Sequence, residues 1–187
     1  MKKLNALLER ADDALRMLLM GNKIPGWLLG AATFAAFALL MMTRTLTQLA
    51  GAALLQRVGA VLVLCLPLGV MLTFALRLAK REAMDTLSAL GLCALCVLAM
   101  LARVSFIERS SGDYDIYLAD WMNKLASGSF AEGMKANIGE YNVLYQYILF
   151  SITRLHVPAL YAVKAVSFIG DAFLAGAAAK LAGEKRG

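Results

Sequence analysis

Residues 58–76 read VGAVLVLCLPLGVMLTFAL, 19 consecutive positions without a charged side chain. A helix rises about 1.5 Å per residue and the hydrocarbon core of a bilayer is about 30 Å thick, so a run of this length reaches from one side to the other. Two more uncharged runs flank it, Ile24 to Thr43 (20 residues) and Thr86 to Ala102 (17 residues). The third spans if Val104, Phe106 and Ile107 extend it and Arg103 snorkels or faces protein. With 60% apolar residues and a mean hydropathy of +0.67, the chain exceeds the roughly 45–50% apolar content of soluble domains. The fold class that follows is all-α: a polytopic transmembrane helical bundle, with lipid as its solvent.

The charges around these runs set an expected orientation. The net charge is +6, but the basic residues flank the apolar runs and form no single stripe with interleaved aromatics, which argues against nucleic acid as a partner. Lys2, Lys3, Arg10, Arg16 and Lys23 precede the first span, and Arg77, Lys80 and Arg81 crowd the short loop after the second. By the positive-inside rule the N-terminus and that loop are cytoplasmic, and the segment 103–140 lies outside. The first apolar run begins too late and runs too long for a cleavable signal, so the spans themselves direct insertion. Ahead of it, residues 1–23 carry Leu4, Leu7, Leu8, Ala11, Leu15 and Leu18 at helical spacing, an amphipathic helix that lies on the cytoplasmic face or packs on another part of the protein.

Within the spans, Cys65, Cys93 and Cys96 stand in wholly apolar surroundings and read as core residues, because a redox or metal role needs thiolates and polar support. Pro67 and Gly69 predict at most a kink. Small residues in the first span (Gly30, Ala31, Ala32, Ala35, Ala36, Ala38) and the third (Ala89, Gly91, Ala94, Ala99) predict close helix approach. Past residue 140 the chain turns apolar again, and two helices are expected, about Tyr141 to Leu155 and Ala159 to Leu181, broken at His156-Val157-Pro158. One or both cross, and the side of the C-terminal tail depends on which.

Function is sought in the most polar stretch, SSGDYDIYLADWMNKLASGSF from Ser110 to Phe130, with GEYNVLYQYIL from Gly139 to Leu149 behind it. Asp113 caps or begins a short helix ended by Ser127-Gly128. At α-helical spacing Asp113, Tyr117 and Trp121 share a face, Asp120 and Lys124 lie close, and Asp115 points elsewhere. Carboxylates beside aromatic rings suit a sugar, since carboxylates bind or deprotonate hydroxyls and rings cover the apolar faces of sugars. The plainer alternative is a helix cap with interfacial aromatics. Lys164 and Asp171, seven residues apart, serve either as polar contacts inside the bundle or in substrate binding. His156 has no second ligand near it in sequence, so no metal ligand is assigned.

A span ending in Arg103, then GDY and a helix with a tryptophan eight residues on, a glycine-containing link, a Tyr-rich segment, and VPALYAVKAVSFIGD from Val157 to Asp171 together resemble the N-terminal part of GT-C glycosyltransferases, relatives of protein O-mannosyltransferases and lipid A aminoarabinose transferases. The resemblance covers about Ser88 to Leu181. It implies a bacterial cytoplasmic membrane and transfer of a sugar from a polyprenyl-phosphate donor to an acceptor on the external face. It implies Asp113 as catalytic base with Asp115 in reserve, and Tyr141, Tyr145 and Tyr147 along the lipid or acceptor path; Tyr117, Asp120 and Trp121 on the polar face and Lys164 within the last helix complete the candidate substrate-binding set. The Tyr-Pro form common in related proteins is missing, and those proteins run much longer, so the expectation is the N-terminal portion of such an enzyme. No motif decides whether a divalent metal ion takes part. The competing expectation is a small non-catalytic membrane protein that scaffolds or joins a complex with a membrane protein partner.

Overall fold

The structure, a computed structural model, describes residues 25–135, 143–155 and 157–184, the side chains of Ala182 and Glu184 excepted. The amphipathic stretch 1–23, Tyr141 and His156 lie outside the described residues. Among those described, helix is the dominant element and four helices are long and apolar enough to cross a membrane. The protein is an all-α transmembrane bundle.

Helix α1 (Gly26–Gln48) starts directly after Pro25, whose carbonyl accepts from the amides of Leu28 and Leu29. A proline at this point sacrifices no intrahelical bond. A short turn leads to α2 (Leu54–Arg81), and the Arg57 side chain donates to the carbonyl oxygens of Ala50 and Ala52 in that turn. Pro67 lies buried inside α2, which continues through it. The α2 C-terminus carries Lys80 and Arg81, cations that complement the helix dipole, and closes with Met84 N bonded to Ala79 O and Ala83 N to Lys80 O. Ala83 takes φ 47°, the left-handed position that such a closure usually gives to glycine. Asp85 then caps α3 (Thr86–Ser105), its carboxylate accepting from Ser88 N at 2.6 Å.

α2 is the centre of the bundle, with α1, α3 and the last helix, α7 (Ala159–Glu184), packed around it. Leu64, Leu68 and Leu72 of α2 are almost wholly buried against Phe37 and Met41 of α1 and Cys93 and Met100 of α3. Lipid tails are as apolar as leucine, so what holds these helices together is close van der Waals contact and not removal from water. Cys65, Cys93 and Cys96 all belong to this core, as their surroundings in sequence predict.

The small residues behave differently from expectation. Gly30 is buried and Ala38 half-buried, but Ala31, Ala32, Ala35 and Ala36 face outward; in α3 Gly91 and Ala94 are exposed, with Ala89 and Ala99 half-buried. The packed stripe of α3 is instead Cys93, Cys96, Met100 and Val104. The branched side chains of α2 fill the interface, so close backbone approach is needed only where one of them arrives end-on, as Leu76 does at Gly30.

Two of the late elements settle the path of the chain. α6 (Val143–Thr153) has 11 residues, about 16 Å, which is too short to span. α7 runs the other way from α3: its Lys164 reaches the chain just past α3, while its Gly183 lies against Arg81 at the end of α2. The end of α7 is therefore on the same side as the 82–85 turn and the start of α1, whose Gly26 lies beside Leu76.

Candidate functional site

At the opposite end of the bundle the chain forms a helical layer, and α7 fixes where it begins. Lys164 Nζ donates to the carbonyl oxygens of Phe106, at 2.5 Å, and Arg109, and Tyr161 OH donates to Glu108 at 3.1 Å. Phe106 O also accepts from Arg109 N in the turn past α3, so Lys164 ties that turn to α7. Lys164 is thus committed to a structural contact. Asp171 does not meet it: its carboxylate pairs with Arg103 at 2.9 Å, and Arg103 also lies over the Phe168 ring, so Arg103 faces protein.

From this clamp residues 112–127 run as one helix with a π turn, Tyr114–Leu118, ahead of α4 (Ala119–Ser127). Asp113 does not cap it. Ser111 Oγ accepts from Tyr114 N at 3.3 Å, and Asp113 sits inside the first turn with helical dihedrals. Asp115, which the resemblance implies as reserve base, accepts a hydrogen bond from Ser110 OH at 2.8 Å. The π turn changes the winding over Tyr114–Leu118 from the 3.6 residues per turn that the i, i+4, i+8 spacing of Asp113, Tyr117 and Trp121 assumes.

The rest of that face holds in part. Tyr117 and Trp121 lie with ring centroids 6.0 Å apart, Tyr117 exposed and Trp121 half-buried. Asp120 is paired with Lys124 at 2.6 Å, one helical turn on, with both side chains exposed. An exposed pair of this kind stabilises by at most about 1 kcal/mol. Tyr114 packs half-buried beneath, where burial and then the charge of Asp115 push its hydroxyl above its ordinary pKa and keep it protonated.

Leu118, Met122 and Leu125 anchor the helix, packing with Leu149 and Ile152 of α6, Val63 of α2, and Ala162 and Ala165 of α7. Tyr145 joins that cluster half-buried, while Tyr147 turns outward onto Phe130 at 5.6 Å, so these two tyrosines do not line one path. Between the helices, α5 (Phe130–Lys135) is held by Gln146 Nε2, which donates to Gly133 O at 2.6 Å, and by the Phe130–Phe150 edge contact at 5.2 Å.

Asp113 remains exposed, and among the described residues no hydrogen bond or ion pair engages its carboxylate. Among the described residues no three His, Cys, Asp or Glu side chains gather as a metal site requires. Sequence reasoning passed over Glu108, Glu132 and Gln146, although Ser129-Phe130-Ala131-Glu132 carries the spacing of a capping box. No family model, curated protein or solved structure matches the chain.

Proposed function

We propose that the protein is a GT-C-like membrane glycosyltransferase, or the N-terminal portion of one, with Asp113 as the base that activates the acceptor. The observation that carries this reading is a solvent-facing carboxylate that no described residue engages, on a helix fixed to the membrane bundle, a turn away from the exposed Tyr117 and its half-buried neighbour Trp121. Asp115 and Asp120 are each engaged by a neighbour and are weaker candidates. Lys164, spent on the α3 carbonyls, drops out of the substrate-binding set.

In the proposed reaction the Asp113 carboxylate takes the proton of an acceptor hydroxyl. The acceptor oxygen bonds to the anomeric carbon, and the bond from that carbon to the lipid phosphate breaks, releasing polyprenyl phosphate. Tyr117 and Trp121 offer ring surface to the sugar. The 112–127 layer faces outside and the N-terminus the cytoplasm, an orientation supported by Arg77, Lys80, Arg81 and Lys180 at the other end.

The test is sugar transfer by membranes carrying the whole chain, supplied with radiolabelled polyprenyl-phosphate sugars. Asp113→Asn should lower transfer by about 10²–10⁴-fold, the usual worth of a general base, at unchanged expression, while Asp120→Asn leaves it nearly intact. Equal transfer by Asp113→Asn removes the residue from the mechanism. No transfer by the unaltered chain, together with a stable partner on purification, favours the non-catalytic complex subunit.

A further inference from the structure

A groove of about 530 Å³ runs between α3 and α7, floored by α2. It exists because α3 and α7 each pack on α2 while scarcely meeting one another. Ala172, Ala175, Gly176 and Ala179 recur at helical spacing along the α7 wall, and Phe74, Ala75 and Leu78 form the floor. Small side chains on the wall leave room, and the floor offers apolar contact. The two ends differ in charge. Midway along α7, Asp171 pairs at 2.9 Å with Arg103, whose side chain comes from the last turn of α3, and their charges offset. At the other end Arg77, Arg81 and Lys180 line the mouth, and although Glu82 pairs with Arg81 at 2.8 Å, the described side chains there sum to a positive patch.

The groove's dimensions select its occupant. Asp171 to Lys180 is nine positions, about 14 Å, or half of a hydrocarbon core about 30 Å thick. A transmembrane helix of a partner needs a groove along the whole span, and this one is closed halfway by an ion pair. A water-soluble anion has no use for the apolar floor. A bilayer lipid of one leaflet fits both ends: its chain reaches to the midplane, and its phosphate sits at the level of the cations.

We infer that this groove is a binding site for an anionic phospholipid of the leaflet on the side of the 82–85 turn, with the phosphate held by Arg77, Arg81 and Lys180. The site is at the end of the bundle away from Asp113 and stands whether or not the chain transfers sugar. Native mass spectrometry of the whole chain, purified in mild detergent and titrated with phosphatidylglycerol or phosphatidylcholine, tests it. One phosphatidylglycerol should be retained per chain in preference to phosphatidylcholine. The triple variant Arg77→Gln, Arg81→Gln, Lys180→Gln should bind it at least about tenfold more weakly, and so should Ala175→Leu, which fills the groove without altering charge. Lys80→Gln, at the same end but outside the groove, should bind as the unaltered chain does. Equal retention of the two lipids, equal weakening by Lys80→Gln, displacement by inorganic phosphate alone, or a polypeptide cross-linked to Ala175→Cys would each overturn the assignment.

Discussion

The Phe74 ring stands edge-on to Phe173 at 5.5 Å and presses on the backbone of Gly176. A methyl group added at Gly176 meets three ring atoms at 2.9–3.0 Å, and a rigid ring cannot fold away as the tip of a leucine can. Gly176→Ala should therefore separate α2 from α7 and lower stability by about 1–3 kcal/mol, the usual cost of overpacking. Gly91 in α3 has nothing within 4 Å of the same added methyl, and there alanine should be neutral or add up to about 1 kcal/mol through its better helix propensity. Thermal unfolding of the two variants in detergent gives the comparison, and an equal shift for both would sink the packing argument. Side-chain partners were the least legible part of the sequence. Lys164 and Asp171 share a helix face by spacing, but their partners, Phe106, Arg109 and Arg103, lie 55 to 68 residues away in sequence and reach them only through the packing of α7 on the bundle.

Short helices depend on their ends, and α5 has six residues. Its Glu132 carboxylate accepts from both the amide and the hydroxyl of Ser129 at 2.7 Å, and Glu132 N donates back to Ser129 Oγ at 3.4 Å. These bonds hold the Glu132 carboxyl below its ordinary value of 4.5, the Ser129 amide being the larger cause. A carboxyl depressed in the folded state stabilises fully above its ordinary pKa and loses that contribution as pH falls through the lowered folded value. Hydrogen exchange over 129–135, corrected for intrinsic rate, should accordingly lose protection as the pH drops below about 4.5. Glu132→Gln should show the weaker protection at every pH; a pH response that survives this substitution would assign the loss to another group. The long spans were legible because each is a contiguous uncharged run whose length matches one physical dimension. The π turn at Tyr114–Leu118 was not, since no composition marks the extra residue in a turn.

At the scale of the whole molecule, four helices among the described residues, α1, α2, α3 and α7, are long and apolar enough to cross, and α6 stays at one end with the 112–127 helix. The sequence left the side of the C-terminal tail open, because the apolar content of residues 143–181 fits one crossing or two. Length decides it: about 16 Å of helix in α6 cannot replace about 30 Å of hydrocarbon, and Leu149 and Ile152 spend its apolar face on Leu118 and Met122. The native cysteines are all buried in the bundle, which leaves a low background for labelling by a membrane-impermeant maleimide. Single cysteines at the exposed positions Gly51, Ser127 and Leu155 should react from one side of the membrane, and one at the exposed Met84 from the other. With the Met84 side cytoplasmic, as we propose from the positive loop at Arg77, Lys80 and Arg81, in intact cells Gly51→Cys, Ser127→Cys and Leu155→Cys should label and Met84→Cys should label only after permeabilisation. Labelling of Ser127→Cys and Leu155→Cys from opposite sides would mean that α6 crosses after all, and α7 would then run parallel to α3 against the contacts of Lys164 and Gly183 that orient it.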